Sequence, residues 1–431
     1  MADLDTRVII PPEGVFTTGV QVPGDKSLSH RALLLAAMAA GESRITGLAP
    51  GADVATTLRA IRQYGVEATR DRITGLRWIA PDAPIDCANS GTTMRLLAGA
   101  AAGSAFRTTL VGDESLMRRP MDRLAAPLGA LGANIETSTG GVPPVVTGGG
   151  RLHGADVVID LASAQVRTAF EFAAIQAEGV STIDGPEGFR DHTERWLETF
   201  GLGERLGDGK FRVDPGPIPA TEYQIPADPS SAAYLWATAA IIDGSQVATP
   251  GVSLNPGRMG FLSILERMGA DVQAEVTGAI HGDPVGVVSV TGAGLTATEV
   301  SGRLAAAAID ELPIVAVLGA YAEGVTVVRD AAELRVKESD RIDSTVAMIR
   351  SLGGGAEPTA DGFEVLGTGF LEGGTIDAAG DHRIAMSAGV AATGANGPVT
   401  IEGVSAAAVS WPTFFDTLEA VWSSRSTDPA G

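Results

Sequence analysis

Cysteine is almost absent. The single thiol among 431 residues, Cys87, excludes an internal disulfide framework and any cysteine-based metal cluster. Long hydrophobic runs are also lacking, since stretches such as AAYLWATAAII (232–242) fall well short of the roughly 20 residues that cross a bilayer. The opening MADLDTRVIIPPEG has neither a basic leader nor an Arg- and Ser-rich transit pattern. These absences together point to the cytoplasm. Positive charge is scarce as well: 31 Lys+Arg stand against 52 Asp+Glu, a net charge of −21. Nucleic acid and anionic membranes need a basic surface and are excluded as partners. A small anion could bind only where the sign is inverted locally. Lysine is the rarest cation, with three copies, Lys26, Lys210 and Lys337. In a chain that otherwise uses arginine, Lys26 in PGDKS and Lys337 in RVKESDR stand out.

What is present is a globular composition, 45% apolar and 19% charged, long enough for two or three domains. Six segments repeat one pattern of polar start, apolar stretch of about three turns, glycine and short β-like run. They are KSLSHRALLLAAMAAG (26–41), SGTTMRLLAGAAAG (90–103), SAQVRTAFEFAAIQAEG (163–179), PSSAAYLWATAAIIDG (229–244), DELPIVAVLGAYAEG (310–324) and DHRIAMSAGVAATG (381–394). Their closing glycines lie 62, 76, 65, 80 and 70 residues apart. In QYGVEAT, ALGANIET, RMGADVQA and SLGGGAEP a second helix ends at Gly65, Gly132, Gly269 or Gly353, each predicted to be left-handed. The first helices are apolar nearly all round and should be buried on most sides. Three buried parallel helices wrapped by mixed sheets would make each half of the chain an inside-out α/β barrel of three repeats.

Serine, threonine or aspartate occupies nearly every one of these helix starts, where unpaired N–H groups attract anions. Ordinary N-capping accounts for those residues. It does not account for the Lys, Arg, Gln and His packed beside them. PGDKSLSHR places Lys26, Ser27 and Arg31 at a helix start suited to phosphate or carboxylate, or equally to a solvated capped helix. CANSGTTMR offers Asn89, Gly91 (where a side chain would intrude on a ligand), Thr92 and, one turn on, Arg95. Cys87 lacks a visible base and reads as a small core residue. MRRPMDR supplies Arg118 and Arg119. LRVKESDRI packs Arg335, Lys337, Glu338, Asp340 and Arg341 together; helical spacing would put Lys337 and Glu338 on one face with Arg341, as a surface ion-pair ladder or as a phosphate clamp with an adjoining carboxyl group. GDHRIAMS sets Asp381, His382 and Arg383 at another start. Asp310 and Glu311 open the buried helix in AIDELPI, where a carboxylate could act as a base.

Taken in order over 26–387, PGDKSLSHR, NSGTTMR, RRP, SAQ, RVKESDR and DHRIAMS resemble the EPSP synthase (3-phosphoshikimate 1-carboxyvinyltransferase) family. Each motif is weak alone, but six in this order are specific and cover essentially the whole chain. The resemblance implies two inside-out α/β domains closing on substrate, here 22–225 and 1–21 plus 226–431, with hinges near 21 and 226. It implies phosphoenolpyruvate and shikimate 3-phosphate as substrates, no metal or organic cofactor, a monomer, and glyphosate as an inhibitor. Lys26, Ser27, Arg31, Ser163, Ala164, Gln165, Arg190, Asp310 and Lys337 correspond to the shikimate 3-phosphate site. Lys26, Asn89, Gly91, Thr92, Arg119, Gln165, Lys337, Arg341, His382 and Arg383 correspond to the phosphoenolpyruvate site. The roles implied are Asp310 as proton acceptor for the 5-hydroxyl and Glu338, with Lys26, as the group that protonates and later deprotonates the enolpyruvyl methylene.

The chain departs from better-known members in places. Val409 stands where many carry a lysine. FRDHTERW (189–196) replaces Ser-Lys-Pro-Tyr, which makes Arg190 the candidate substitute for a phosphate-binding serine. His30 and Ala164 match a subgroup that includes glyphosate-tolerant enzymes, but that subgroup often has alanine at position 91. The related enzyme acting on UDP-N-acetylglucosamine is the nearest alternative; it carries Lys-Asn in place of Lys26-Ser27 and a loop cysteine near the catalytic arginine. A non-catalytic anion-binding protein on the same scaffold would have no use for Asp310 and Glu338. The tail after Trp422, SSRSTDPAG, is expected to be unordered from its composition.

Overall fold

A computed structural model describes residues 5–160, 163–186, 190–207 and 209–424. Most of the tail, 425–431, lies outside the described residues. The named strands form six small sheets, five of four strands and one of three. The sequence repeat is a repeat of topology, because every sheet joins a parallel pair to an antiparallel neighbour. Glu222–Gln224 runs parallel to Gly41–Thr46, which runs antiparallel to Arg72–Gly75. Ile85–Asp86, Arg107–Val111 and Val142–Gly148 repeat this order, as do Asp156–Val158, Ser181–Asp184 and Lys210–Val213. In the second half the triplets are Thr17–Gly19 with Gln246–Ser253 and Asp283–Thr291, Glu299–Val300 with Glu323–Val328 and Phe363–Thr368, and Gly374–Asp377 with Val399–Glu402 and Thr6–Ile9. A parallel pair needs a crossover, and in most of these repeats the buried helix lies within that connection.

The chain divides into two compact units. One comprises Gly24–Pro226 with Ala279–Asp283; the other comprises Met1–Pro23, Ala227–Gly278 and Pro284–Gly431. Each has its own hydrophobic core. In the first unit the core is built on helices Lys26–Met38, Gly91–Ala100 and Ala164–Ala174, with the Gly91 helix packed on both others. In the second, helices Pro229–Ile241, Leu312–Tyr321 and His382–Ala391 pack pairwise. All ten residues of Leu312–Tyr321 are buried, as the absence of a polar face requires, and so are all ten of His382–Ala391, including His382 and Arg383 at its start. The close helix crossing depends on Gly99, where a methyl group would sit 2.0 Å from the Ala169 carbonyl oxygen.

The outer helices, such as Ala52–Gln63 and Arg341–Ser351, keep one face in solvent. Several end at the predicted left-handed glycines, with φ of +81° at Gly65, +84° at Gly132, +101° at Gly269 and +81° at Gly353. Strand burial alternates with period two, as in Phe363–Thr368, where Phe363 and Val365 face the core.

Candidate active site

In the unit built on residues 24–226, side-chain hydrogen bonds tie the three helix starts together. Asp25, Ser90 and Ser163 are the N-caps, accepting from the N–H groups of Leu28 (2.8 Å), Thr93 (3.1 Å) and Val166 (3.4 Å). The Lys26 helix reaches the Gly91 helix through His30 Nδ1, Thr57 Oγ1 and Thr93 Oγ1, each step 2.7 Å. It reaches the Ala164 helix through Arg31, which donates to Thr168 Oγ1 (2.7 Å), to Thr193 Oγ1 (2.8 Å) and back to the Ser27 carbonyl (3.0 Å). The other two starts meet where Gln165 Nε2 donates to Thr92 Oγ1 at 2.8 Å. Three N-termini, each with positive end charge, therefore converge at one end of this unit.

Cations line the same end. Lys26 Nζ lies 3.1 Å from the Asp53 carboxylate, and both side chains are largely shielded from solvent. Arg119, 7% exposed, donates to Asn89 Oδ1 at 3.1 Å, while Asn89 Nδ2 donates to Asp113 at 2.8 Å. Arg95 donates to Gln165 Oε1 at 2.6 Å. Gly91 sits between these arginines: a methyl group on it would lie 3.2 Å from Arg95 Nη1 and 3.3 Å from Arg119 Nη1. Asn89, Gly91, Thr92, Arg119 and Gln165 are thus one cluster. Arg118 is not part of it; it is exposed and pairs with Glu114. Arg190 is half-buried just ahead of helix His192–Phe200, and Ala164 is the first residue of its helix. Burial drives the Cys87 thiol up to about 12, so no thiolate nucleophile is available there. His30, buried beside Lys26 and Arg31, is held neutral: desolvation first, and then those two charges, push its pKa well below the usual value.

In the other unit the organising group is Arg341, 2% exposed. Its guanidinium contacts three carboxylates, those of Glu338 (2.5 Å), Asp381 (2.7 Å) and Asp310 (3.6 Å). Arg383 approaches the Tyr234 hydroxyl at 3.5 Å and feels Asp310 and Glu311. Ser230 donates a short hydrogen bond to Glu311, and Arg258 bridges Ser230 and Asp228. Lys337 keeps some solvent contact, yet desolvation holds its pKa below the usual lysine range against the pull of Asp310. His382 is buried at the start of its helix, with Nδ1 3.7 Å from Asp381. Three cations, Lys337, Arg341 and Arg383, are thereby grouped with the carboxylates of Asp310, Glu338 and Asp381. Such a group can bind an anion and hold two carboxyl groups ready to accept or donate a proton.

The structure corrects one expectation. Lys337 and Glu338 do not share a helix face with Arg341. A 3₁₀ segment, Ala332–Val336, ends at an extended Lys337, and a new helix begins at Arg341 under the Asp340 cap. The charges meet because the chain turns at the cap, not because they lie on a helical ladder. At the Leu312 start, Glu311 occupies the cap position without a capping hydrogen bond, its carboxylate being engaged by Ser230. The spacing left Asp53, Arg258 and Tyr234 unassigned, and no local motif marks them. Arg95 was legible as the residue one turn beyond Gly91. Val409 ends the 3₁₀ segment Val404–Val409 and brings no charge. Among the described residues no group of His, Cys, Asp and Glu could hold a metal ion, and no helix is long and apolar enough to cross a membrane.

Two three-helix units wrapped by small sheets, with buried cations at helix starts and paired carboxylates among them, define an α/β protein with the groups needed to bind small anions and move protons beside them. A family model for EPSP synthase (3-phosphoshikimate 1-carboxyvinyltransferase) matches residues 12–418, and the chain belongs to that family. It is 41% identical over 410 residues to a 3-phosphoshikimate 1-carboxyvinyltransferase of Bacillus licheniformis, covering 93% of this chain and 96% of the relative. The solved EPSP synthase of Acinetobacter baumannii superposes with a TM-score of 0.84 at 38% identity, over 96% of this chain and 98% of that one. An enolpyruvyl transferase of Streptomyces tendae, 16% identical, shares the fold with a TM-score of 0.78 over 97% of each chain. The fold is the two-domain inside-out α/β architecture of these proteins.

Proposed function

We propose that this chain transfers the enolpyruvyl group of phosphoenolpyruvate to the 5-hydroxyl of shikimate 3-phosphate, releasing phosphate. The observation that carries the reading is the gathering of Asp310 and Glu338 on one buried guanidinium, Arg341, in a chain that is a full-length match to the family. A protein that only bound anions would gain nothing from two carboxylates beside its cations. In this reading Asp310 takes the proton of the 5-hydroxyl as it attacks C2, and Glu338, with Lys26, delivers a proton to C3. The resulting tetrahedral ketal phosphate expels phosphate and returns the C3 proton. Arg119, Arg341 and Arg383 with His382, Asn89, Gly91, Thr92 and Gln165 hold phosphoenolpyruvate; Ser27, Arg31, Ser163, Ala164, Gln165, Arg190 and Lys337 hold the acceptor. The protein acts as a cytoplasmic monomer and is inhibited by glyphosate.

The test is incubation with phosphoenolpyruvate and either shikimate 3-phosphate or UDP-N-acetylglucosamine, with phosphate release measured. Turnover is expected with the shikimate ester alone. Release only with the nucleotide sugar reverses the assignment, and release with neither removes the activity.

A further inference from the structure

The three buried helices of the unit built on residues 24–226 also have a shared opposite end. Roughly 18 Å from the helix starts, at 1.5 Å per residue over Lys26–Met38, their C-termini border a cavity. Its volume is about 330 Å³, and Met38, Trp78, Phe106, Ile175 and Ile218 are among its walls. That is the small end of the range for ligand pockets, enough for one ring system and a short polar chain.

We propose that this cavity is a second small-molecule site, for an aromatic zwitterion with one carboxylate and one ammonium group. The ring has a prepared surface. Trp78 is stacked on Tyr64 with centroids 4.4 Å apart, and its indole N–H donates to the Ala37 carbonyl at 3.0 Å, so its orientation is set before a ligand arrives. The ammonium has a matching field. None of the three helices carries a basic residue in its last turn, so their negative ends are uncompensated by charge. Gln176 spends its amide N–H groups on the Ala100 and Phe172 carbonyls (3.0 and 2.6 Å), which leaves its Oε1 as an acceptor beside Gly103. The carboxylate has a counter-ion. Arg77 lines the cavity, exposed and with no hydrogen-bond or carboxylate partner among the described residues. Opposite charges on one ligand are what a negative floor and a cationic wall select.

Titration calorimetry on the whole chain tests this with L-phenylalanine, 3-phenylpropionate (no ammonium) and phenethylamine (no carboxylate). L-Phenylalanine should bind, with each analogue about tenfold weaker or more, as expected for loss of a charge-assisted contact. Arg77→Ala should weaken L-phenylalanine about tenfold and leave phenethylamine unchanged. Arg77 is exposed and unpaired, so the variant should fold and retain wild-type turnover. Absence of L-phenylalanine binding, equal affinity for all three probes, or indifference of L-phenylalanine to Arg77→Ala would each overturn the proposal.

Discussion

Replacing Gly91 by alanine separates the geometry of the anion site from its stability. Gly91 is the first residue of its helix and is not in the left-handed region, so alanine is compatible with the backbone. Helix propensity even favours it, by up to about 1 kcal/mol. Folding should therefore be unharmed. The added methyl group meets Arg95 Nη1 at 3.2 Å, Arg119 Nη1 at 3.3 Å and Leu116 Cδ1 at 3.7 Å. The first two contacts are a few tenths of an ångström too close, and both guanidiniums are tethered, Arg95 to Gln165 and Arg119 to Asn89. They must shift, or the ligand between them must.

Where the ligand, and not the two guanidiniums, gives way, overpacking of this kind costs about 1–3 kcal/mol of binding, which is roughly 5- to 150-fold in an inhibition constant. Glyphosate inhibition of Gly91→Ala should weaken within that range, with the KM for phosphoenolpyruvate raised less and the melting temperature unchanged or higher. The assay is inhibition by glyphosate against varied phosphoenolpyruvate, with phosphate release as the readout. Equal inhibition constants for the two proteins would refute the placement of the inhibitor against Gly91. A lowered melting temperature would show instead that the methyl group disrupts the helix start.

Asp310→Asn and Glu338→Gln should each lose more than about a hundredfold in turnover while folding normally, the low end for removing a general acid or base; steady-state rates beside circular dichroism decide this, and a wild-type rate in either variant removes that residue from proton transfer. Lys26→Ala should be similarly impaired, whereas Lys210→Ala, on the exposed start of strand Lys210–Val213, should turn over normally; the same assay compares them, and equal losses would make Lys26 no more than a structural cation. His30 is neutral in the fold with a depressed pKa, so its contribution is complete above the unfolded value near 6.5 and is lost as pH falls towards the folded pKa. Urea denaturation should show wild type losing up to about 1.4 kcal/mol per pH unit more than His30→Asn below pH 6.5. Glu171, whose pKa is raised by burial and then by Glu194, titrates with the opposite sign, so the difference between the proteins carries the test; parallel pH profiles would sink it.

The sequence made the buried helices legible because ALLLAAMAA and LPIVAVLGAYA leave no polar face, and the left-handed glycines because a helix that stops before a strand needs one. The strands were harder to read. Glu222–Gln224 finds its partner in Gly41–Thr46, nearly 180 residues away, and no local pattern of three residues announces such a pairing. The site divided along the same line. Residues that act from one helix start, such as Gly91, Thr92 and Arg95, could be read from spacing. Those that act across the fold, such as Asp53 on Lys26, could not. The RVKESDR stretch shows why spacing misleads even when the residues are right. Intervals of three and four imply a shared face only along an unbroken helix, and Asp340, itself an N-cap residue type, was the sign that the helix begins after it. A capping aspartate there stops Lys337 and Glu338 from spending their charge on a solvated ladder with Arg341. With the chain turned at the cap, Arg341 can gather Glu338, Asp310 and Asp381 from three separate segments, which no continuous helix could present to one guanidinium.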